Sequence, residues 1–174
     1  MLMKFLKIIP ISLLLIGTFS QSQFIFAENK SAESYKVLSD KNDKLSIKNV
    51  QIFLDEGDRL INLGKFEKAK DSYDKGRNLA KQLSGFYRDL NGAFRGLDAR
   101  IPREMEDKGR KSLKAWADAN GRLAALYKRK NQPEVAVPLL VEIIKLMSPS
   151  SPEGKAAFRD LRELGFVKTS YQGY

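Results

Sequence analysis

Apolar residues recur every three or four positions along most of the chain after its first quarter, which is the spacing of amphipathic helices. The first stripe follows Ser46, a residue suited to N-capping, and ends at Gly64, which favours the left-handed turn after a helix. A second stripe runs from Phe66 to Leu83. Because a tight glycine turn separates the two stripes, the pattern predicts a helical hairpin.

The middle of the chain contains two expected interruptions. Ser84-Gly85 is expected to break or bend the second helix, and a third apolar stripe follows over residues 87–101. Pro102 ends that stripe, since the residue before a proline resists helical geometry. A long polar helix is then expected to restart at Arg103 and to run toward Lys130.

Two further helices are predicted beyond residue 130. Pro133 suits the first turn of one helix, and Pro138 should bend it or delay its regular start. Ser151 and Pro152 suit the N-cap and first helical position of the last helix. Because no short β-branched run alternates with period two, no strand is predicted.

An internal repeat is the strongest pattern in the sequence. Gly57 and Ala124 are 67 positions apart, close to two periods of about 34 residues. In both places a small residue is followed by a large one three positions later, a small one twelve later and a large one sixteen later. A middle unit is expected near Asn91, but its second helix would need small and large residues where Arg103 and Asp107 stand.

This pattern resembles the tetratricopeptide repeat family over roughly residues 45–151, with a degenerate middle unit. The residues that carry the resemblance are Phe53, Gly57, Leu60, Ala69 and Tyr73 in the first unit, and Leu123, Ala124, Tyr127, Ala136, Leu140 and the terminating Pro149 in the last. The resemblance implies an all-α fold of stacked antiparallel helical hairpins, a short α-solenoid. The alternative is an unrelated helical bundle. The stretch 86–105 with the last unit is also similar to small exported cyanobacterial repeat proteins, which supply no activity.

Members of this family bind peptides on a concave face formed by the first helix of each unit. By position, the resemblance places groove residues at Gln51, Leu54, Asp58 and Ile61 in the first unit and at Asp118, Gly121, Ala125 and Lys128 in the last, with Arg122 beside that row. Some members hold a C-terminal carboxylate with Lys and Asn. Since Leu54 and Asp58 stand at those points here, that specificity is not expected.

Residues 1–27 have the order of an export signal. Lys4 and Lys7 precede an uncharged, mostly apolar stretch over residues 8–19, and Ala27 suits the last residue before a cut. The alternative is an uncleaved membrane anchor made of residues 8–27. We expect export to a periplasm or thylakoid lumen, a flexible polar linker over residues 28–45, a helical domain over 46–166 and a C-terminal tail over 167–174.

The composition excludes much of enzyme chemistry. Neither cysteine nor histidine is present, which removes thiol nucleophiles, disulfides, Cys/His zinc sites and histidine relays. We therefore expect no enzymatic activity, no metal and no cofactor. Export makes nucleic acid an unexpected partner in spite of the net charge of +10.

Positive charge is concentrated in the middle of the chain. Residues 86–130 carry 12 basic and 6 acidic side chains, a net charge of +6, whereas residues 131–174 carry five of each. This excess predicts a docking face for an acidic protein, a membrane complex or an anionic membrane surface; a merely solvated helix face is the alternative. The predicted partner-binding residues are Asp58, Arg88, Arg95, Asp118, Arg122, Lys128 and Arg129.

Three classes of function follow from these patterns. The first is a non-enzymatic scaffold or assembly factor that binds a protein or peptide on its concave and basic face. The second is a membrane-anchored structural protein whose basic face lies on anionic lipid. The third is an enzyme, which the missing nucleophiles and nucleotide motifs disfavour.

Overall fold

The computed structural model describes residues 44–171, which form five α-helices and no strand. The helices are α1 (Ile47–Asn62), α2 (Phe66–Ala93), α3 (Arg100–Arg129), α4 (Pro133–Met147) and α5 (Pro152–Glu163). The all-α prediction is therefore confirmed. The predictions for residues 1–27, for most of the linker and for residues 172–174 lie outside the described residues.

Helix starts fall where the capping residues predict them. The Ser46 hydroxyl accepts a hydrogen bond from the Asn49 backbone N–H at 3.1 Å, and the Ser151 hydroxyl accepts one from the Gly154 N–H at 2.9 Å. Each bond satisfies an N–H that has no partner within its helix. Pro133 lies in the first turn of α4, where a missing N–H costs nothing.

Sequential helices pack against each other, and side-chain contacts fix their directions. α2 and α3 are antiparallel, because Lys130 contacts Glu67 at one end of the pair while the Asn91 amide donates to the Pro102 carbonyl at the other. α3 and α5 run in the same direction, because Lys114 pairs with Glu153 and Lys128, further along α3, pairs with a carboxylate further along α5.

The expected break at Ser84-Gly85 is wrong, because both residues lie inside the continuous 28-residue α2. A helical glycine costs only about 1 kcal/mol relative to alanine, and packing against α3 outweighs that cost. α3 likewise begins at Arg100 rather than Arg103, with Pro102 in its first turn. The middle hairpin does not form as a separate unit; α2 and α3 are extended instead.

The extension carries α2 and α3 beyond the rest of the domain. α1 has 16 residues against 28 in α2, so it covers little more than half of that helix. A turn with Gly96 at φ 84° joins α2 to α3 at the far end. We call residues 86–103 the hairpin tip.

One turn geometry recurs at the ends of the odd-numbered helices. In each, an N–H bonds back to a carbonyl five positions earlier: Lys65 to Leu60 at 2.9 Å, Gln132 to Tyr127 at 2.9 Å, and Phe166 to Leu161 at 3.0 Å. A left-handed residue sits at the same place each time, at Gly64, Asn131 and Gly165. Asn131 follows Gly64 by 67 positions, and Gly165 follows Asn131 by 34 positions.

A buried polar network ties α2, α3 and α4 together. Asn120 is fully buried; its carbonyl oxygen accepts from Arg77 Nε at 2.6 Å, and its amide donates to Glu142 at 2.8 Å. Arg77 also pairs with Glu142 at 2.7 Å. Burial alone would raise the pKa of Glu142, but the hydrogen bonds from Arg77 and Asn120 outweigh it and hold that pKa below its usual value.

Candidate functional site

An open cleft of about 280 Å³ lies between α1 and α3. Its central group is the carboxylate of Asp58, which accepts the Tyr73 hydroxyl at 2.6 Å and Arg122 Nε at 3.1 and 3.2 Å. Ile61 and Arg129 complete the walls. Asp58 thereby connects three helices, because Tyr73 belongs to α2.

Tyr73 is positioned by the absence of a side chain at Gly57. A β-carbon at Gly57 would overlap the tyrosine ring, with ring atom Cζ at only 2.9 Å. Burial raises the pKa of the Tyr73 hydroxyl, and the hydrogen bond to Asp58 raises it further. The hydroxyl therefore stays protonated at physiological pH and acts as a fixed donor to Asp58.

A second open cleft, of about 370 Å³, lies between α3 and α5. Asp118, Glu153 and Asp160 give it acidic walls, and Ala156 and Gly121 leave room between the helices. Two lysines of α3 reach across to α5: Lys114 pairs with Glu153 at 2.5 Å, and Lys128 pairs with Asp160 at 3.4 Å and Glu163 at 3.7 Å.

The two clefts adjoin along α3, because Arg122 and Ala125 line both of them. Together they form one surface depression bounded by the odd-numbered helices, which we call the α1–α3–α5 groove. Ala125 is exposed at the junction and contributes only a methyl group there.

Charge is distributed unevenly along this groove. Arg122 is neutralised by Asp58, whereas Arg129 is exposed and has no ion pair within residues 44–171. At the other end Asp118 has no ion pair within residues 44–171, whereas Glu153 and Asp160 are neutralised by Lys114 and Lys128. The groove is therefore cationic near Arg129 and acidic near Asp118, rather than uniformly basic.

The predicted partner-binding residues separate into two places. Asp58, Asp118, Arg122 and Arg129 line the groove, and Lys128 lies beside it in ion pairs with α5. Arg88 and Arg95 lie at the hairpin tip instead.

Two of the groove positions implied by the resemblance differ in the structure. Leu54, which the resemblance puts on the groove, is wholly buried between α1 and α2. Gln51 lines neither cleft, and its amide donates to Asp55 at 2.7 Å on the surface of α1.

Sequence reasoning missed the contribution of α5. Glu153, Ala156 and Asp160 form one wall of the groove, although none of them is among the predicted partner-binding residues. A signal for its role exists, because residues 60–64 and 161–165 share the pattern Leu-x-x-Leu-Gly. That pattern marks two turns with the same hydrogen bonding.

The part of the groove that the structure describes offers hydrogen-bond donors and acceptors. Its tyrosine is held protonated, and its central carboxylate already accepts from two donors. Among residues 44–171, no cluster of three or more acidic side chains is arranged to hold a metal ion. Within the same residues, no helix is long and apolar enough to cross a membrane.

Comparison with known proteins gives no family assignment. No protein-family model matches the chain, and neither the curated proteins nor the solved structures contain a significant match.

Proposed function

We propose that this protein is a non-enzymatic binding module whose α1–α3–α5 groove holds a segment of a partner protein. The observation that carries the proposal is that two clefts adjoin along α3, where Arg122 and Ala125 line both of them. A depression over three helices offers length for an extended or helical peptide, whereas a small metabolite would need an enclosed pocket.

A tetratricopeptide-like array is the architecture we propose for this module. The recurrence of one turn at Gly64, Asn131 and Gly165 supports it. The interval from Asn131 to Gly165 matches the length of one repeat in this family, about 34 residues. In this interpretation α1 and α3 are first helices of two units, α2 and α4 are their second helices, and α5 is a first helix of a third.

The charge pattern of the groove defines the kind of segment it would accept. An acidic side chain of the partner would face Arg129, and a basic side chain would face Asp118. These pairs would fix the direction of the bound segment and reject its reverse, because like charges would then meet. Protein scaffolding or assembly of a membrane complex is the role we propose for such binding.

We also propose that the protein acts outside the cytosol, in a periplasm or thylakoid lumen. The support is the charged start, the apolar stretch and Ala27 within residues 1–27. Mass spectrometry of the chain from its own cells tests this point. A mature N-terminus at Glu28 supports a cleaved signal, and retention of residues 1–27 would contradict it.

Site-specific photocrosslinking in the native cell tests the groove. A photoreactive amino acid at Ala125 should yield a discrete adduct with one partner, because Ala125 is exposed at the junction of the clefts. The matched control is Asn78, an exposed residue of α2 that lines neither cleft. Adding Arg129→Glu should reduce the Ala125 adduct without unfolding the chain, because Arg129 is exposed and has no ion pair within residues 44–171 to lose. Equal adducts at both sites, or an adduct insensitive to Arg129→Glu, would overturn the proposal.

Arg122 and Lys128 are poorer test positions than the sequence indicates. Arg122→Glu would place a carboxylate against Asp58, and Lys128→Glu would face Asp160 and Glu163. Both variants would therefore disturb contacts between helices as well as the groove. Arg129→Glu separates binding from folding more cleanly.

A further inference from the structure

The hairpin tip exposes apolar side chains that the rest of the described domain does not cover. Leu97, in the turn between α2 and α3, is 79% exposed, and Phe86 and Leu90 of α2 are 45% and 44% exposed. Phe86 and Leu90 line a shallow apolar depression together with Leu83, Tyr87 and Leu45. Covering these side chains would be favourable, since apolar surface gains free energy when it is removed from water.

The hairpin tip also exposes four arginines. Arg88 and Arg100 are 79% and 89% exposed and pair only with neighbouring aspartates of the tip within the described residues. Arg95 and Arg103 are exposed and have no ion pair within the described part of the chain. Over residues 86–103 four arginines face two aspartates, a net charge of +2.

Exposed apolar groups and exposed arginines on the same hairpin tip match the chemistry of an anionic bilayer surface. The apolar side chains enter the boundary between headgroups and acyl chains, while long arginine side chains reach the phosphates. Each such cation contributes about a fivefold gain in binding through the negative surface potential.

The attachment point of the N-terminal chain lies at the same place. Leu45, at the start of the described residues, lines the apolar depression, so the described part of the chain begins beside the tip.

We infer that the hairpin tip is a lipid-contact site, at which Leu97, Phe86 and Leu90 enter a bilayer whose anionic headgroups pair with Arg95 and Arg103. This site is distinct from the α1–α3–α5 groove, since none of its residues lines either cleft. It does not rest on the proposed partner binding, and either can fail alone.

A fluorescent probe at the tip tests this inference. Because the chain contains no cysteine, Leu97→Cys provides a unique site for an environment-sensitive dye such as nitrobenzoxadiazole. The matched control is Leu63→Cys, a leucine 53% exposed at the α1–α2 turn, at the other end of α2. With vesicles of phosphatidylcholine and phosphatidylglycerol, the dye at 97 should shift to the blue and brighten, and the dye at 63 should not. Because this readout reports the depth of one residue, it holds for the full chain whether or not residues 1–27 are retained.

Charge reversal separates specific contact from general attraction. Arg95→Glu with Arg103→Glu should weaken the response at 97 about 25-fold or more, at about fivefold for each arginine. Arg159→Glu with Arg162→Glu changes the net charge equally on α5, where both residues are exposed, and should have little effect. The inference would be overturned if both double substitutions weakened the dye response equally, or if the dye responded equally at 63 and 97. It would also be overturned if the dye at 97 did not respond to anionic vesicles. A blue shift that rises with protein concentration in the absence of vesicles would overturn it too, because the occupant would then be a second copy of the chain.

Discussion

Gly57→Ala should destabilise the fold, although alanine is the better helix former. Gly57 lies inside α1, and a β-carbon there would overlap the ring of Tyr73 on α2. The ring has little freedom to move, because Tyr73 is only 3% exposed and its hydroxyl is bonded to Asp58. Asp58 is in turn held by Arg122, so a shifted ring would disturb the α1–α3 cleft as well.

The magnitude follows from three contributions. Overpacking in a well-packed site costs about 1–3 kcal/mol. Loss or distortion of the Tyr73–Asp58 hydrogen bond costs about 1 kcal/mol. The higher helix propensity of alanine stabilises the fold by about 1 kcal/mol. The net expectation is a loss of about 2 kcal/mol in the free energy of unfolding.

Gly85→Ala is the matched control. Gly85 lies inside α2, and a β-carbon there would meet no atom within 4 Å. The same substitution should therefore stabilise the protein by about 1 kcal/mol through helix propensity alone. The two variants are predicted to change the free energy of unfolding in opposite directions, so the test does not depend on the exact size of either change.

Urea unfolding, followed by far-UV circular dichroism and by fluorescence of Trp116, the single tryptophan, measures both free energies. A second comparison tests the cause. Tyr73→Leu should cost less in the Gly57→Ala background than in the native sequence, because the smaller side chain relieves the overlap. A neutral or stabilising Gly57→Ala, or strictly additive effects of the two substitutions, would refute the close contact of α1 with Tyr73 as the cause.

Three further predictions concern stability. Because the pKa of Glu142 is lowered in the folded protein, its ionised carboxylate stabilises the fold above the unfolded-state pKa of about 4.3, and this stability is lost as pH falls through the folded-state pKa. The urea midpoints of the wild type and Glu142→Gln should therefore differ at neutral pH and converge in acid. Parallel pH profiles of the two proteins would contradict this. Asn120→Leu should destabilise the protein by about 1–3 kcal/mol, because Arg77 Nε loses its acceptor and Glu142 keeps only the bond from Arg77. A more stable variant in thermal unfolding would show that these two bonds are not needed. Gly154→Ala should lower the thermal midpoint more than Gly85→Ala raises it, because a β-carbon at position 154 would overlap the backbone carbonyl of Ser148. An unchanged midpoint would mean that the turn before α5 can move to accommodate the β-carbon.

Local signals in the sequence predict both ends of α1 and the start of α5. Ser46 and Ser151 are helix caps as expected, and Gly64 ends α1 in the left-handed conformation. These features depend on a few neighbouring residues, so sequence alone is sufficient to find them. The repeat pattern likewise marks Gly57 as a site of close helix approach, and Tyr73 fills the space beside it.

Features that depend on distant residues could not be found in the same way. Ser84-Gly85 has the composition of a break, but the contact of α2 with α3 along its whole length keeps the helix continuous. The burial of the polar Asn120 is explained only by the positions of Arg77 and Glu142, which are distant in the sequence. The extent of the hairpin tip also depends on tertiary packing, because α1 ends before it covers α2.

Some residues of the groove could be predicted from the sequence, whereas their contacts could be found only from the structure. The repeat register places Asp58, Ile61 and Ala125 on one face, and all three line the α1–α3 cleft. The register could not show that Arg122 reaches Asp58, because long flexible side chains choose among several partners.

The shared carboxylate of Asp58 limits how a ligand can gain affinity in the groove. Both Tyr73 and Arg122 already donate to it, so a newcomer that touches Asp58 exchanges one bond for another of similar worth. The net gain in binding free energy from that exchange is small. Arg129 and Asp118 have no hydrogen-bonded partner within residues 44–171, so each can form a new bond to a ligand without losing an existing one. Ligands that bind this groove tightly should therefore carry charged groups that pair with Arg129 and Asp118 at its two ends. The centre of the groove should limit only the width of the segment that fits.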